Sequence, residues 1–267
     1  ALGVAFDESF TIGVATMSYS LIRNESEDED ASPFFGNWTA TAGQFDVPFG
    51  LDYHKYASVD RLTVTQPLIC EQSHGGWNDI GLLNTLETEI GSLDAWVVKG
   101  IDSRIWDSAE EVPEDVADDD PRWTDVPSQV SGGMQLNVSP IADVDFGCSV
   151  TRGWSEERSP AFSLIGLHAQ GGWKNSSIKT EFIRAVKAEM TAPQVTRGFY
   201  VEVLQAFDPV FVIGRVDYVE DAKADIMHYY SAGGGVMITE GLEWRTEYQM
   251  HSETHEGRVL FQVVAGF

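Results

Sequence analysis

The C-terminal stretch GLEWRTEYQMHSETHEGRVLFQVVAGF (241–267) contains two segments in which apolar and polar side chains alternate. In the first segment, Leu242, Trp244, Thr246, Tyr248 and Met250 share one face, and Glu243, Arg245, Glu247 and Gln249 share the other. The second segment has the same period and ends in Phe267, with Ala265, Val263 and Phe261 on its face. A period of two is that of a β-strand. The stretch therefore predicts two strands, each with one apolar face.

Composition limits the classes of function. The 267 residues include 17 Lys plus Arg against 42 Asp plus Glu, which gives a net charge of -25. Nucleic-acid binding needs clustered basic residues, so this balance argues against a nucleic-acid partner, and also against a basic patch on an anionic membrane face. Two cysteines, Cys70 and Cys148, predict no structural disulfide. The sequence contains no run of about 18 apolar residues, so it predicts no membrane-spanning helix. A soluble all-β protein or a transmembrane barrel remains.

The same alternation recurs along the chain in segments of about ten residues, a length typical of barrel strands. Short turns alternate with longer polar connections, as in outer-membrane barrels. We therefore predict an all-β fold, a transmembrane antiparallel up-and-down β-barrel of about 14 to 16 strands. The predicted strands are residues 1–6, 10–22, 36–46, 77–88, 92–100, 130–139, 143–153, 161–172, 177–188, 197–207, 210–219, 232–239, 242–250 and 258–267.

The expected domain organisation is one barrel covering residues 1–267, with a further strand or hairpin upstream. The segment 101–129 contains SAEEVPEDVADDDP, which is too charged and proline-interrupted to pack as an element. It is predicted to be a long acidic extracellular loop.

The polar faces of the strands carry opposite charges in close succession. A small soluble barrel needs an apolar interior, whereas a wide membrane barrel turns apolar side chains to lipid and lines a wet lumen with polar ones. The alternation therefore predicts a water-filled interior. The candidate pore-lining residues are Asp79, Asp145, Lys179, Glu181, Lys187, Arg215, Asp217, Glu243, Arg245 and Glu247.

The stretch TAGQFDVPFGLDYHKYASVDRLTVTQPLICEQSHGGWNDIGLLNT (41–85) resembles the phosphate- and pyrophosphate-selective porins of Gram-negative outer membranes. The resemblance rests on Gly-Gln-Phe at 43–45, on Pro-Phe-Gly-Leu-Asp at 48–52, on Arg-Leu-Thr at 61–63 with Glu71, and on Asp-Ile-Gly at 79–81. It implies that residues 47–76 fold into the lumen as a constriction and that the protein is a homotrimer. The implied constriction residues are Asp52, His54, Lys55, Asp60, Arg61, Glu71 and His74.

The resemblance also implies that Phe267, Ala265, Val263 and Phe261 form the signal read by the barrel assembly machinery. The composition departs from the family here: anion pores use rings of basic side chains, and basic residues are few in this chain, so phosphate selectivity is not supported. The expected function is a porin channel in the outer membrane for passive diffusion of ions and small hydrophilic solutes, general or cation-tolerant in selectivity.

Other readings remain open at this stage. One is a secreted all-β binding or adhesion protein that uses its acidic loop with Ca²⁺, and another is a barrel that serves mainly as a structural anchor. His251 and His255 have a metal-ligand spacing only on a helix, so no metal site is expected there. No catalytic signature surrounds Ser73 or His74, so neither an enzyme nor a cofactor is expected.

Overall fold

The computed structural model describes residues 2–6, 10–22, 36–51, 61–100, 130–155, 161–188, 193–239 and 241–265. These residues form fourteen strands and one short helix. The elements are β1 (Leu2–Phe6), β2 (Phe10–Ile22), β3 (Asn37–Asp46), α1 (Leu68–Ser73), β4 (Asn78–Thr88), β5 (Gly91–Val98), β6 (Val130–Ile141), β7 (Val144–Trp154), β8 (Phe162–Trp173), β9 (Ser176–Lys187), β10 (Gln194–Ala206), β11 (Val210–Glu220), β12 (Ile226–Thr239), β13 (Leu242–His251) and β14 (Gly257–Ala265).

Each strand pairs antiparallel with the next, in the order β1 to β14. The fourteen strands match the predicted number, but β12 begins at Ile226 instead of residue 232. The preceding connection is shorter than predicted because Asp221 closes it: its carboxylate accepts the backbone N–H groups of Lys223 and Asp225. The predicted acidic loop 101–129 lies outside the described residues.

The two faces of the sheet differ as the alternation predicts. On β7, Phe146 and Val150 are exposed on one face, while Ser149 and Thr151 are buried on the other. The exposed face is apolar over most of the sheet, with Leu82, Val97, Leu167, Val212 and Phe261 among its members. An apolar outward face and an inward face that carries many polar side chains are the pattern of a barrel that meets lipid outside and water inside.

The curvature of the sheet is visible in what its inward face touches. The backbone N–H groups of Gly50, Leu51, Leu68 and Thr65 donate to Ser149 on β7, Glu181 on β9, Asp217 on β11 and Glu247 on β13, respectively. In a flat sheet, β7 and β13 would be about 29 Å apart, at about 4.8 Å per strand. The strands therefore wrap around this segment, and the fold is an antiparallel β-barrel.

The two ends of the barrel carry different connections. We call the end with the connections 23–36, 89–90, 142–143, 174–175, 207–209 and 240–241 the turn end. The opposite end, which we call the loop end, carries 7–9, 47–77, 99–129, 155–161, 188–193, 221–225 and 252–256. Apart from 23–36 and 7–9, the turn end has connections of two or three residues and the loop end has longer ones, as is typical of bacterial outer-membrane barrels.

Aromatic side chains lie on the outward face near both ends. Trp173 and Trp244 are exposed at the turn end, and Trp154 is exposed at the loop end. Two other tryptophans fall in the interior instead: Trp77 is 1% exposed and Trp96 is 2% exposed. No helix in the described part of the chain is long and apolar enough to cross a bilayer.

Candidate functional site: the loop inside the barrel

The connection between β3 and β4, residues 47–77, is called the inner loop, and its described parts, 47–51 and 61–77, lie inside the barrel. Val47 and Phe49 are fully buried. The N–H of Gly50 donates to Ser149 Oγ at 3.1 Å, and the N–H of Leu51 donates to Glu181 Oε1 at 3.0 Å. Gly50 has φ +77°, a left-handed conformation that favours glycine, and a Cβ there would lie 2.2 Å from Glu181 Oε1. The first part of the inner loop is thereby fixed against β7 and β9.

Arg215 attaches the second part of the inner loop. Its Nη1 donates to Thr63 Oγ1 at 3.1 Å and to the Thr65 carbonyl at 2.9 Å. Its Nη2 donates to Thr65 Oγ1 at 2.7 Å and to the Gln66 carbonyl at 3.1 Å. The guanidinium is completely buried, so its planar donors replace the water that these loop oxygens would otherwise bind.

Three carboxylates compensate the buried charge of Arg215. Asp217 lies 2.8 Å from Nε, Glu247 lies 3.6 Å from Nη2 and Glu202 lies 3.7 Å from Nη1. Two of these carboxylates also accept from the inner loop: Asp217 from the Leu68 N–H at 2.9 Å, and Glu247 from the Thr65 N–H at 2.9 Å and hydroxyl at 2.6 Å. Because each buried group is paired, the desolvation cost of the cluster is offset.

Arg245 makes a similar attachment two strands further on, from β13. Its Nη1 donates to the Arg61 carbonyl, and its Nε lies 2.6 Å from Glu243 Oε1. Both side chains belong to the inward face of β13. The inner loop is therefore held by charged side chains from β9, β11 and β13.

The inner loop covers part of the predicted pore lining. The inward orientation of the charged faces is as the alternation predicts, but five of the residues are buried against other protein groups and do not line open water. The reason is that the inner loop occupies the space in front of them and uses them as hydrogen-bond partners. The five residues are Glu181, Arg215, Asp217, Arg245 and Glu247.

The remaining predicted lining residues have varied surroundings. Asp79 accepts from the Gly100 N–H at 2.6 Å, and Lys179 forms an ion pair with Glu202 at 3.0 Å. Asp145 is only partly buried and accepts from Gln170 Nε2. Glu243, partly buried, pairs with Arg245 as described, and Lys187 is partly buried at the loop end of β9.

The predicted constriction residues are only partly described. Arg61 is partly buried, and Glu71 is exposed on α1. His74 is buried, with 1% of its surface exposed. Four others lie outside the described residues: Asp52, His54, Lys55 and Asp60. Of the predicted assembly signal, Phe261, Val263 and Ala265 are exposed on the outward face of β14, and Phe267 lies outside the described residues.

His74 is part of the packing that holds the inner loop together. Its ring lies edge-on to Phe49, with centroids 5.2 Å apart, and its Nδ1 is 2.9 Å from Ser73 Oγ. Burial disfavours the charged imidazolium and lowers the pKa of His74 from 6.5 to about 4. The ring is therefore neutral when the loop is docked at physiological pH.

Acid is expected to weaken docking of the inner loop through His74. An undocked His74 binds a proton below its ordinary pKa of 6.5, and the docked one only below about 4. Docking stability is therefore lost as the pH falls from about 6.5 to about 4, by about 3 kcal/mol in all. Single-channel noise recorded across this range should rise in the parent protein and rise less in His74→Gln.

All other groups are the same in the two proteins, so the difference between the two pH profiles isolates His74. His255→Gln is a matched control, because His255 is exposed in the 252–256 connection. Identical profiles for the parent and His74→Gln would show that His74 does not couple docking to pH.

The inner loop also has an apolar attachment. Helix α1 packs against β9, β10 and β11 and buries Ile69 and Cys70 completely. The wall beneath it is apolar, with Ile183 and Val219 fully buried. Trp77 contacts Phe162 edge-on at a centroid distance of 6.1 Å. The loop-end half of the interior is therefore a hydrophobic core.

The turn-end half of the interior contains open polar space. Two cavities of about 280 and 350 Å³ lie there, and Asp145 lines both. The lining residues that sequence reasoning missed include Glu87, Gln135, Asn137, His168, Gln170 and Glu202. The period-two rule places each of them on an inward face, so that rule could have found them. Within the described residues, no group of three or more His, Cys, Asp or Glu side chains could hold a metal ion.

We compared the sequence and the fold with those of known proteins. No protein-family model matches the chain, and no curated protein matches it in sequence. Among solved structures, the anion-selective porin from Comamonas acidovorans matches with a TM-score of 0.61 and 12% identity, covering 97% of this chain and 75% of that one. The trimer form of OmpT, an outer-membrane protein of Vibrio cholerae, matches with a TM-score of 0.53 and 12% identity, covering 99% of this chain and 91% of that one. A porin structure refined at 1.8 Å resolution matches with a TM-score of 0.53 and 14% identity, covering 88% of this chain and 79% of that one.

Identities this low establish the architecture alone. The matches extend over most of this chain, so they concern the whole barrel and not a local motif. None of these three matched structures is described as phosphate-selective, so the finer resemblance stays a prediction. The chain has the β-barrel fold of outer-membrane porins.

Proposed function

We propose that this protein forms a water-filled channel in the outer membrane of a Gram-negative bacterium, through which ions and small hydrophilic solutes diffuse. The observation that carries the proposal is the division of the interior: a polar, partly open turn-end half, and an inner loop fixed at mid-height by Arg215 and its partners. A loop held across the lumen narrows the path, and the remaining space sets the size of the solutes that pass.

Several further features of this function belong to the same proposal. The loop end faces the cell exterior, as the longer connections of outer-membrane barrels do. The protein assembles as a homotrimer, for which the trimeric porin-like neighbour gives support. Passage involves no covalent chemistry.

Planar-bilayer recording tests the channel directly. The protein is folded in detergent, shown to be heat-modifiable on gels, and added to a bilayer under a KCl gradient. Discrete conductance steps are expected, and Arg61→Ala and Glu71→Ala should each change their size if the inner loop is the constriction. A folded barrel that gives no steps would favour the structural anchor, and a chain that is monodisperse without detergent would favour the secreted protein.

The channel is proposed to prefer cations. Of its inward-facing basic groups, Arg215 and Arg245 are buried in contacts with carboxylates and loop oxygens, and Lys179 pairs with Glu202. The less buried charges of the turn-end cavities are acidic, with Glu87 and Asp145 among them. Acidic groups facing the lumen attract cations and repel anions.

Asp145→Lys is expected to move the reversal potential in a KCl gradient toward that of chloride. The substitution replaces a negative charge in both cavities by a positive one, and dilute salt keeps its field unscreened over about 10 Å. Glu89→Lys makes the same charge change in the exposed turn between β4 and β5 and should move the reversal potential much less. Equal shifts for both variants would mean that overall charge, and not the lining, sets selectivity.

A further inference from the structure

Three arginines lie on the outward face, where the sheet is otherwise apolar. They are Arg152 on β7, Arg184 on β9 and Arg197 on β10, and all three are exposed. Each is two or three residues from the loop-end terminus of its strand. Outward-facing arginine costs about 2–4 kcal/mol at the bilayer midplane and about 0–1 near the interface, so this height is where such residues are tolerated. We call these residues the outer arginine patch.

The strand register shows how close these side chains are. Arg184 and Arg197 are direct cross-strand partners. Arg184 is also the partner of Ile165 on β8, and Arg152 is the partner of Ser163 on the same strand. Arg152 is thus two strands and two residues away from Arg184, which corresponds to about 12 Å along the surface. The patch is small enough for one ligand with several anionic oxygens.

The charges of the patch are only partly compensated. Glu220 accepts from Arg197 Nε at 3.0 Å and from its Nη2 at 2.8 Å. Neither Arg152 nor Arg184 makes an ion pair within the described residues. Like charges directly opposite on neighbouring strands are destabilising, so the Arg184–Arg197 pair favours an anion between the two guanidinium groups.

Aromatic rings mark the level of the patch relative to the membrane. Phe199 and Tyr218 stack with centroids 5.5 Å apart, and His228 contacts Tyr218 edge-on at 5.0 Å. Phe199 lies two residues from Arg197 toward the middle of the barrel. Aromatic side chains of this kind sit at the boundary between headgroups and acyl chains. The arginines, on the far side of Phe199, therefore lie at the headgroup level.

We propose that the outer arginine patch binds the phosphate groups of a phosphorylated lipid of the outer leaflet, namely the lipid A part of lipopolysaccharide. Arginine binds phosphate through two parallel N–H donors. The acyl chains of the lipid pack on exposed Val150, Ile165 and Phe182 beneath the patch. The net negative charge of the whole chain does not reveal this local basic site. The inference rests on the proposed outer-membrane location, with the loop end outside.

The test is lipid binding by native mass spectrometry in detergent, with diphosphoryl lipid A and its dephosphorylated form as probes. The parent protein should bind the phosphorylated form preferentially. The double variant Arg152→Gln/Arg184→Gln should bind it about thirtyfold more weakly. Arg258→Gln is the matched control, because Arg258 lies on the inward face of β14 beside Gln249 and should leave lipid binding unchanged.

Three outcomes would overturn the inference. Equal binding of the two lipid forms would exclude phosphate recognition, and full competition by millimolar inorganic phosphate would point to the free anion. A change of oligomeric state in the double variant, with lipid binding unchanged, would make the patch a contact between copies of the chain. Conductance of the same samples is measured separately. A barrel that binds lipid A but passes no current would contradict the proposed channel function and would still support the lipid site.

Discussion

Replacing Arg215 with Met is expected to release the second part of the inner loop and to enlarge the pore. The variant loses four hydrogen bonds to Thr63, Thr65 and Gln66. It also leaves Asp217 and Glu247 buried without their main counter-charge. Removing one partner of a buried ion pair costs about 3–5 kcal/mol. At the lower figure, the undocked loop would be populated roughly a hundredfold more often.

Two measurements follow the release. Single-channel conductance and its noise should both rise, and trypsin should cleave after Arg61 much faster than in the parent barrel. Arg258→Met is the matched control: it removes the same charge from the interior, but Arg258 bonds Gln249 and not the loop. Unchanged conductance and cleavage in Arg215→Met would show that the remaining contacts hold the loop without the guanidinium.

Replacing Phe49 with Ala should have a comparable effect through packing. Phe49 is fully buried, and its ring contacts His74. The ring also reaches the space left free by Gly166, where a Cβ would lie 3.3 Å from it. Loss of a buried phenyl ring costs about 3–5 kcal/mol, so docking of the inner loop should weaken by that amount.

The Phe49→Ala variant has a second, independent readout. Water admitted beside His74 should raise the pKa of His74 from about 4 toward 6.5, since burial is what lowers it. Because the docked and undocked pKa values then converge, the part of the acid-induced noise that comes from His74 should become smaller than in the parent protein. Phe207→Ala is the control, because Phe207 is 62% exposed in a turn-end connection. A variant that keeps the parent's pH profile and cleavage rate would contradict the packing role of Phe49.

The strand pattern was predictable because it depends on local chemistry. Alternation places Val150 outside and Ser149 inside without any knowledge of partners, and it also places Arg184 on the outward face. The start of β12 was missed because the segment that begins at Ile226 has no clear apolar–polar alternation. Local chemistry thus determined the faces, and it was less reliable for the strand ends.

The roles of the inward charges could not be predicted. Alternation shows that Arg215 points inward, but its loop partners are about 150 residues away in the sequence. The apolar–polar alternation distinguishes the two faces of a strand, but it does not show whether water or a folded segment fills the interior. Trp77 and Trp96 illustrate the same limit, because the sequence alone does not show that both are buried inside the barrel.

The sequence separation of these contacts has a consequence for the order of assembly. The inner loop follows the third strand, but the side chains that hold it come from strands nine, eleven and thirteen. Long-range contacts of this kind form only after the intervening chain has been ordered. Docking of the loop is therefore a late folding event, and a barrel lacking its last strands would hold a wide, hydrated interior. Docking of the inner loop therefore indicates that strands nine, eleven and thirteen are already in place around it.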